Sequence, residues 1–127
     1  MKSILPFIIA VLILLSGCAG PSAENGYQQI SQEEAKSMMD SQEVVILDVR
    51  EQVEYDVGHI PGAVLLPVGT IDQDTAAAVI PEKDTAVLVY CRSGNRSKTA
   101  SSALAALGYT NIYEFGGINT WPYDIVK

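Results

Sequence analysis

One cysteine and three cations fall within eight residues, Cys91-Arg-Ser-Gly-Asn-Arg96-Ser-Lys98. Before them runs Ala86-Val-Leu-Val-Tyr90, continuously apolar and read as a buried strand; after them a helical pattern opens at Ser97. A thiol in that position lies beyond the carboxyl end of a strand, where parallel sheets bind ligands. Loop amides and a helix N-terminus favour an anion there, and an anion-binding cradle lowers the pKa of a thiol and makes it a nucleophile. Gly94 lets the backbone turn back without a Cβ clash. Arg92, Arg96 and Lys98 in an acidic chain suit an anionic substrate. Free cysteines are more often inert core residues; the strand, loop and helix around Cys91 outweigh that ordinary reading.

The elements needed to hold this loop are legible on either side of it. Val44-Val-Ile-Leu47 and Ala63-Val-Leu-Leu66 join Ala86–Tyr90 as apolar runs without polar alternation, as in parallel strands covered on both faces. Ser31-Gln-Glu-Glu34 is a capping-box pattern opening a helix to Asp40, with Ala35, Met38 and Met39 on its core side. A second helix is expected over 71–80, stopped by Pro81, and a third over 97–107, closed by Gly108. Ile112–Phe115 reads as a last strand, followed by Gly116-Gly117 and a turn or helix through Trp121. Strands alternating with helices predict one α/β domain with a central, mostly parallel sheet flanked by helices.

The chain has 127 residues, 48% hydrophobic, with two cysteines, one histidine and a net charge of -7. Such a length admits one domain, and the hydrophobic content excludes a disordered tail. Two cysteines cannot build a disulfide-dense scaffold, and the acidity argues against a nucleic-acid partner. The N-terminal stretch differs from the rest. Lys2 precedes an unbroken apolar run from Phe7 to Leu15, too short to span a bilayer but suited to a signal-peptide core. It ends in Leu15-Ser-Gly-Cys18, which resembles a bacterial lipobox, in preference to a buried strand or uncleaved anchor with an incidental cysteine. The expectation is a signal peptide at 1–17, a tether at 18–26 with Cys18 lipidated, and a domain at 27–127, exported and held at the extracytoplasmic face of a bacterial membrane. Removing 17 residues from 127 leaves 110 with a net charge of -8, and Cys91 becomes the one free thiol. An exported chain with a single unpaired cysteine points to an intermolecular disulfide or a reactive thiol.

Beside the Cys91–Arg96 loop, the sequence carries Asp48-Val-Arg50-Glu51, Glu54-Tyr55, Gly58-His-Ile-Pro-Gly-Ala63, and Gly116-Gly117 followed by Trp121. With these motifs, in this order over about Tyr27–Tyr123, it resembles a single-domain member of the rhodanese (thiosulfate sulfurtransferase) family. The resemblance implies a rhodanese-like fold and a two-step transfer. Cys91 would take sulfane sulfur from a small anionic donor such as thiosulfate, hold it as a persulfide, and pass it to cyanide or a thiol. The loop Arg92, Ser93, Gly94, Asn95, Arg96 and Ser97 would bind the substrate, with Arg92 attracting the donor and Arg96 closing the loop. Asp48 would act as an anchor bonding the loop or Arg50, and the turn holding His59 would be architectural rather than half of a Cys–His dyad. Trp121 and Pro122 would cap the domain. No cofactor is implied, the soft ligands are too few for a zinc site, and a monomer is expected. The alternatives are a carrier or sensor of sulfane sulfur, or a protein-interaction module. A cysteine phosphatase ranks lower, because related phosphatases use Cys-x5-Arg whereas Cys91 and Arg96 form Cys-x4-Arg.

Overall fold

The side chains of the third long apolar run separate by parity. Val87, Val89 and Cys91 pack with Ala100 and Leu104 on one face, while Leu88 and Tyr90 pack with Ala35, Phe115 and Trp121 on the other. All five residues of this strand are buried, so an alternating polar pattern could not appear in it. A computed structural model describes residues 26–127. The signal segment at 1–17, Cys18 and most of the tether lie outside the described residues.

In chain order the elements are β1 (Gln28–Gln29), α1 (Gln32–Ser41), β2 (Val45–Asp48), α2 (Gln52–Val57), β3 (Val64–Leu65), α3 (Gln73–Val79), β4 (Val87–Cys91), α4 (Asn95–Ala106) and β5 (Ile112–Gly117). The strands form one five-stranded sheet in the order β1-β5-β4-β2-β3, with every pairing parallel. The expected α/β architecture, a parallel sheet flanked by helices, is the one observed. From β2 the chain moves outward to β3, whereas from β4 it moves the other way to β5. The carboxyl ends of β2 and β4 therefore flank the topological switch point, the crevice in which open α/β sheets hold ligands.

Local chemistry sets the helix limits. Ser31 caps α1 by accepting the Glu34 N–H at 3.0 Å, and Asp72 caps α3 by accepting the Thr75 N–H at 2.8 Å. The helix expected over 71–80 is thus trimmed to Gln73–Val79. The helix expected from Ser97 starts two residues earlier, at Asn95, because Gly94 adopts φ 109° and lets the turn begin directly after the loop. The apolar count missed that start, since Asn95 and Arg96 are polar. The last strand runs on through Gly117 rather than stopping at Phe115.

Candidate active site

Cys91 ends β4 and is 1% exposed. Its sulfur accepts the Gly94 N–H at 3.0 Å, and its thiol faces Ser97 Oγ at 3.4 Å. Burial, the largest influence, pushes this thiol's pKa up. The Ser97 hydroxyl and the amides of Ser97, Gly94 and Ser93 together outweigh it, so Cys91 is more acidic than an ordinary cysteine.

Two glycines allow the loop to take this shape. Gly94 occupies the left-handed region, which a side chain resists. Gly117, at the end of β5, passes directly beneath the loop, and a β-carbon there would collide with the Arg92 carbonyl. That carbonyl is fixed from the same side by the Asn119 N–H at 3.1 Å. Cys91 and Gly117 are register partners across a bulge in the β4–β5 pairing, which brings the Gly-Gly motif against the thiol's loop.

Beneath the loop, Ser97 is fully buried and its hydroxyl donates to Glu114 Oε2 at 2.6 Å. Glu114 is 2% exposed, and its carboxylate also accepts the Gly116 N–H at 2.7 Å and the Gln29 side-chain amide at 3.2 Å. Glu114 is absent from the sequence reading, because a lone glutamate in a strand ordinarily reads as solvated. Parity along β5 was the available signal: Ile112 and Glu114 are both buried, with Tyr113 between them only partly so.

The loop cations have different fates. Arg96 is clamped to Glu54 of α2 by two bonds of 2.7 and 2.9 Å, and this guanidinium, helped by the Glu51 N–H and opposed by burial, holds the Glu54 carboxyl down at about 2. Arg96 thus ties the loop to α2. Arg92 and Lys98 are exposed, and neither side chain makes a hydrogen bond or ion pair among the described residues. Arg92 borders a surface cavity with Arg50, Val53, Val57, Ile118 and Asn119, at the switch point. Ser93 and Asn95 are exposed on the rim of the loop.

Asp48 and Arg50 form a separate network at the end of β2. Asp48 is fully buried and takes three bonds from the Arg50 guanidinium at 2.7 to 3.1 Å and one from the Tyr90 hydroxyl at 2.7 Å. Of the two partners expected for Asp48, the structure shows Arg50 and no hydrogen bond to the Cys91 loop. Arg50 also donates to the Gly58 carbonyl at 2.7 Å, and Tyr90 accepts the Ile60 N–H at 3.1 Å, so the network pins the Gly58–Ala63 turn to the sheet. His59 stacks on Tyr55 with ring centroids 3.7 Å apart, bonds the Tyr55 carbonyl through Nδ1 at 3.0 Å and bridges to Val126. Its contacts are architectural, and none involves Cys91. Trp121 is buried against Phe115, while Pro122 is exposed. Helix α2 was also missed by the apolar pattern, since Val53 and Val57 face solvent at 71% and 75% exposure.

Comparison with known proteins places this geometry in context. A family profile described as Rhodanese-like domain matches residues 31–122. The thiosulfate sulfurtransferase GlpE of Coxiella burnetii is 34% identical over 96 residues, 75% of this chain and 87% of that protein. The thiosulfate sulfurtransferase PspE of Escherichia coli is 36% identical over 81 residues, 64% of this chain and 77% of that protein. By contrast, the chain spans 24% of the length of the probable adenylyltransferase/sulfurtransferase MoeZ of Mycobacterium tuberculosis, at 37% identity over 94 residues. Among solved structures, one described as a rhodanese with anions from E. coli aligns with TM-score 0.62 and 30% identity, over 67% of this chain and 99% of that one.

Proposed function

The chain belongs to the rhodanese-like domain family, and we propose that it is a sulfurtransferase that carries sulfur as a persulfide on Cys91. The Cys91 thiolate attacks the outer sulfur of a donor such as thiosulfate. The donor's S–S bond breaks and sulfite leaves with the bonding pair, carrying off the thiolate's unit of negative charge, while the outer sulfur keeps the negative charge it bore in the donor and becomes the end of the persulfide. Cyanide or an acceptor thiolate then attacks that outer sulfur and returns Cys91 to its thiolate. Amides from Arg92 to Ser97 stabilise the developing charge, Arg92 meets the donor's oxyanion at the mouth of the cavity, and the Asp48–Arg50 pair keeps the neighbouring strand end rigid. The observation carrying this reading is a buried sulfur enclosed by a six-residue loop that directs the Gly94 N–H at it from 3.0 Å. That ring suits a single sulfur atom better than a phosphoryl group.

The proposal includes the address. Cys18, lipidated after removal of 1–17, tethers the domain to the extracytoplasmic face of a bacterial membrane as a monomer. Cys18→Ala should leave the protein unprocessed or release it from membranes; lipid labelling that persists in the variant refutes the anchor. Turnover is tested by thiocyanate release from thiosulfate and cyanide. The wild type should release it and Cys91→Ser should not. Equal release from both contradicts the assignment of Cys91, and hydrolysis of an aryl phosphate without thiocyanate release redirects it to a phosphatase.

A further inference from the structure

Ser97 has one hydroxyl proton and two anionic claimants for it. Glu114 Oε2 lies 2.6 Å from Ser97 Oγ and Cys91 Sγ 3.4 Å from it, while the Gly94 and Gly116 carbonyls, at 3.0 and 3.4 Å, are its neutral acceptors. When Cys91 is a thiol its S–H faces Ser97 Oγ, and the serine proton goes to Glu114. When Cys91 is a thiolate, it needs the same serine proton that the carboxylate holds. Both sites are dry: Cys91 is 1%, Ser97 0% and Glu114 2% exposed. Two buried anions joined by one shared proton repel each other at short range.

We propose that Glu114 takes the Cys91 proton through Ser97, so that the sulfur and the carboxylate share one negative charge. The S–H bond breaks as its proton moves to Ser97 Oγ, and the Ser97 O–H bond breaks as its proton moves to Glu114 Oε2. The products are a thiolate, a serine hydroxyl now aimed at the sulfur, and a neutral carboxylic acid. Two protons each move one place and the site charge stays at one unit. Glu114 acts through Ser97 and is a positioning residue. Glu114 borders a surface cleft with Gln29, Gln32, Ser93 and Lys98. Other groups face the pair from each packed element: Arg96 of α4, felt by Cys91 and paired with Glu54 of α2; Lys98 of α4 in the cleft; Gln29 of β1; and Gln32 beyond Gly116. None of these lies between Ser97 and either anion.

The proposal rests on the persulfide reading only for why a thiolate is wanted, and its test does not use sulfur transfer. The probe is iodoacetamide, with alkylation of the Cys91 peptide followed by mass spectrometry across pH. A shared charge makes the wild-type rate rise in two steps separated by a level stretch, as coupled groups do. Glu114→Gln should collapse this to one rise of about tenfold per pH unit below a single pKa. Glu114→Asp should restore a second step. A merely structural Glu114 would change stability without removing a step. A single-step wild-type profile overturns the proposal whatever the variants do. Two steps without sulfur loading leave the shared charge standing and remove the transfer reading instead.

Discussion

Tyr90 and Cys91 are neighbours in the chain, equally buried, and opposite in acid strength. Tyr90 points to the α1 face, where its hydroxyl donates to the Asp48 carboxylate; burial and that bond push its pKa far above the ordinary tyrosine value. Cys91 points to the α4 face, where amides and a hydroxyl are directed at its sulfur, and it becomes more acidic despite the same burial. The difference lies in the direction of hydrogen bonding. A carboxylate beside an acid stabilises its protonated form, whereas N–H donors stabilise its anion. Burial amplifies either one. One strand end therefore supplies a locked proton that holds a turn and, one residue on, an available negative charge.

The largest test of this contrast is Asp48→Asn. It leaves the Arg50 guanidinium buried without its anion and should cost about 3 to 5 kcal/mol in urea unfolding, because removing one partner strands the other. A loss under about 1 kcal/mol would show that the closed network is not what holds the Gly58–Ala63 turn. Next comes Ser97→Ala, which should raise the Cys91 pKa and slow its alkylation at neutral pH roughly tenfold. If burial alone set the thiol's acidity, the rate would not change. Smaller is the effect of Glu54→Gln on acid stability. The Glu54 pKa of about 2 in the folded chain lies below its ordinary 4.5, so the unfolded chain binds the proton first. Stability from the Arg96 pair is complete above about 4.5 and is lost as pH falls towards 2. With both side chains partly solvated, the variant should lose about 1 kcal/mol at neutral pH and converge on the wild type near pH 2, so that this part of the acid dependence vanishes. The smallest is Ser101→Ala. The Ser101 hydroxyl is buried and has no partner among the described residues, so its removal should be neutral or stabilising by up to about 1 kcal/mol.

The sheet and the position of Cys91 were legible because their causes are local. Continuous apolar runs mark strands covered on both faces, and a strand–Cys–Gly–helix order fixes where a loop must lie. The Ser31 cap was readable for the same reason. What escaped depends on partners distant in sequence. Gln28–Gln29 is a polar edge strand defined only by its pairing with Tyr113 and Glu114. Helix α2 is the exception, since its cap is local, Glu54 accepting the Glu51 N–H at 3.2 Å, but it shows no apolar stripe. Glu114 meets Ser97 across 17 positions and Glu54 meets Arg96 across 42, so no local spacing could announce either pair. The loop's charges were visible in the sequence; their bonding was not.

The central claim is that Cys91 holds sulfur covalently, and the intact mass of the protein after brief exposure to thiosulfate tests it most directly. The account predicts a gain of about one sulfur atom, roughly 32 Da, located on the Cys91 peptide, removed by cyanide, and absent in Cys91→Ser. A wild-type mass unchanged by thiosulfate, or a cyanide-labile sulfur that persists in Cys91→Ser, would contradict it.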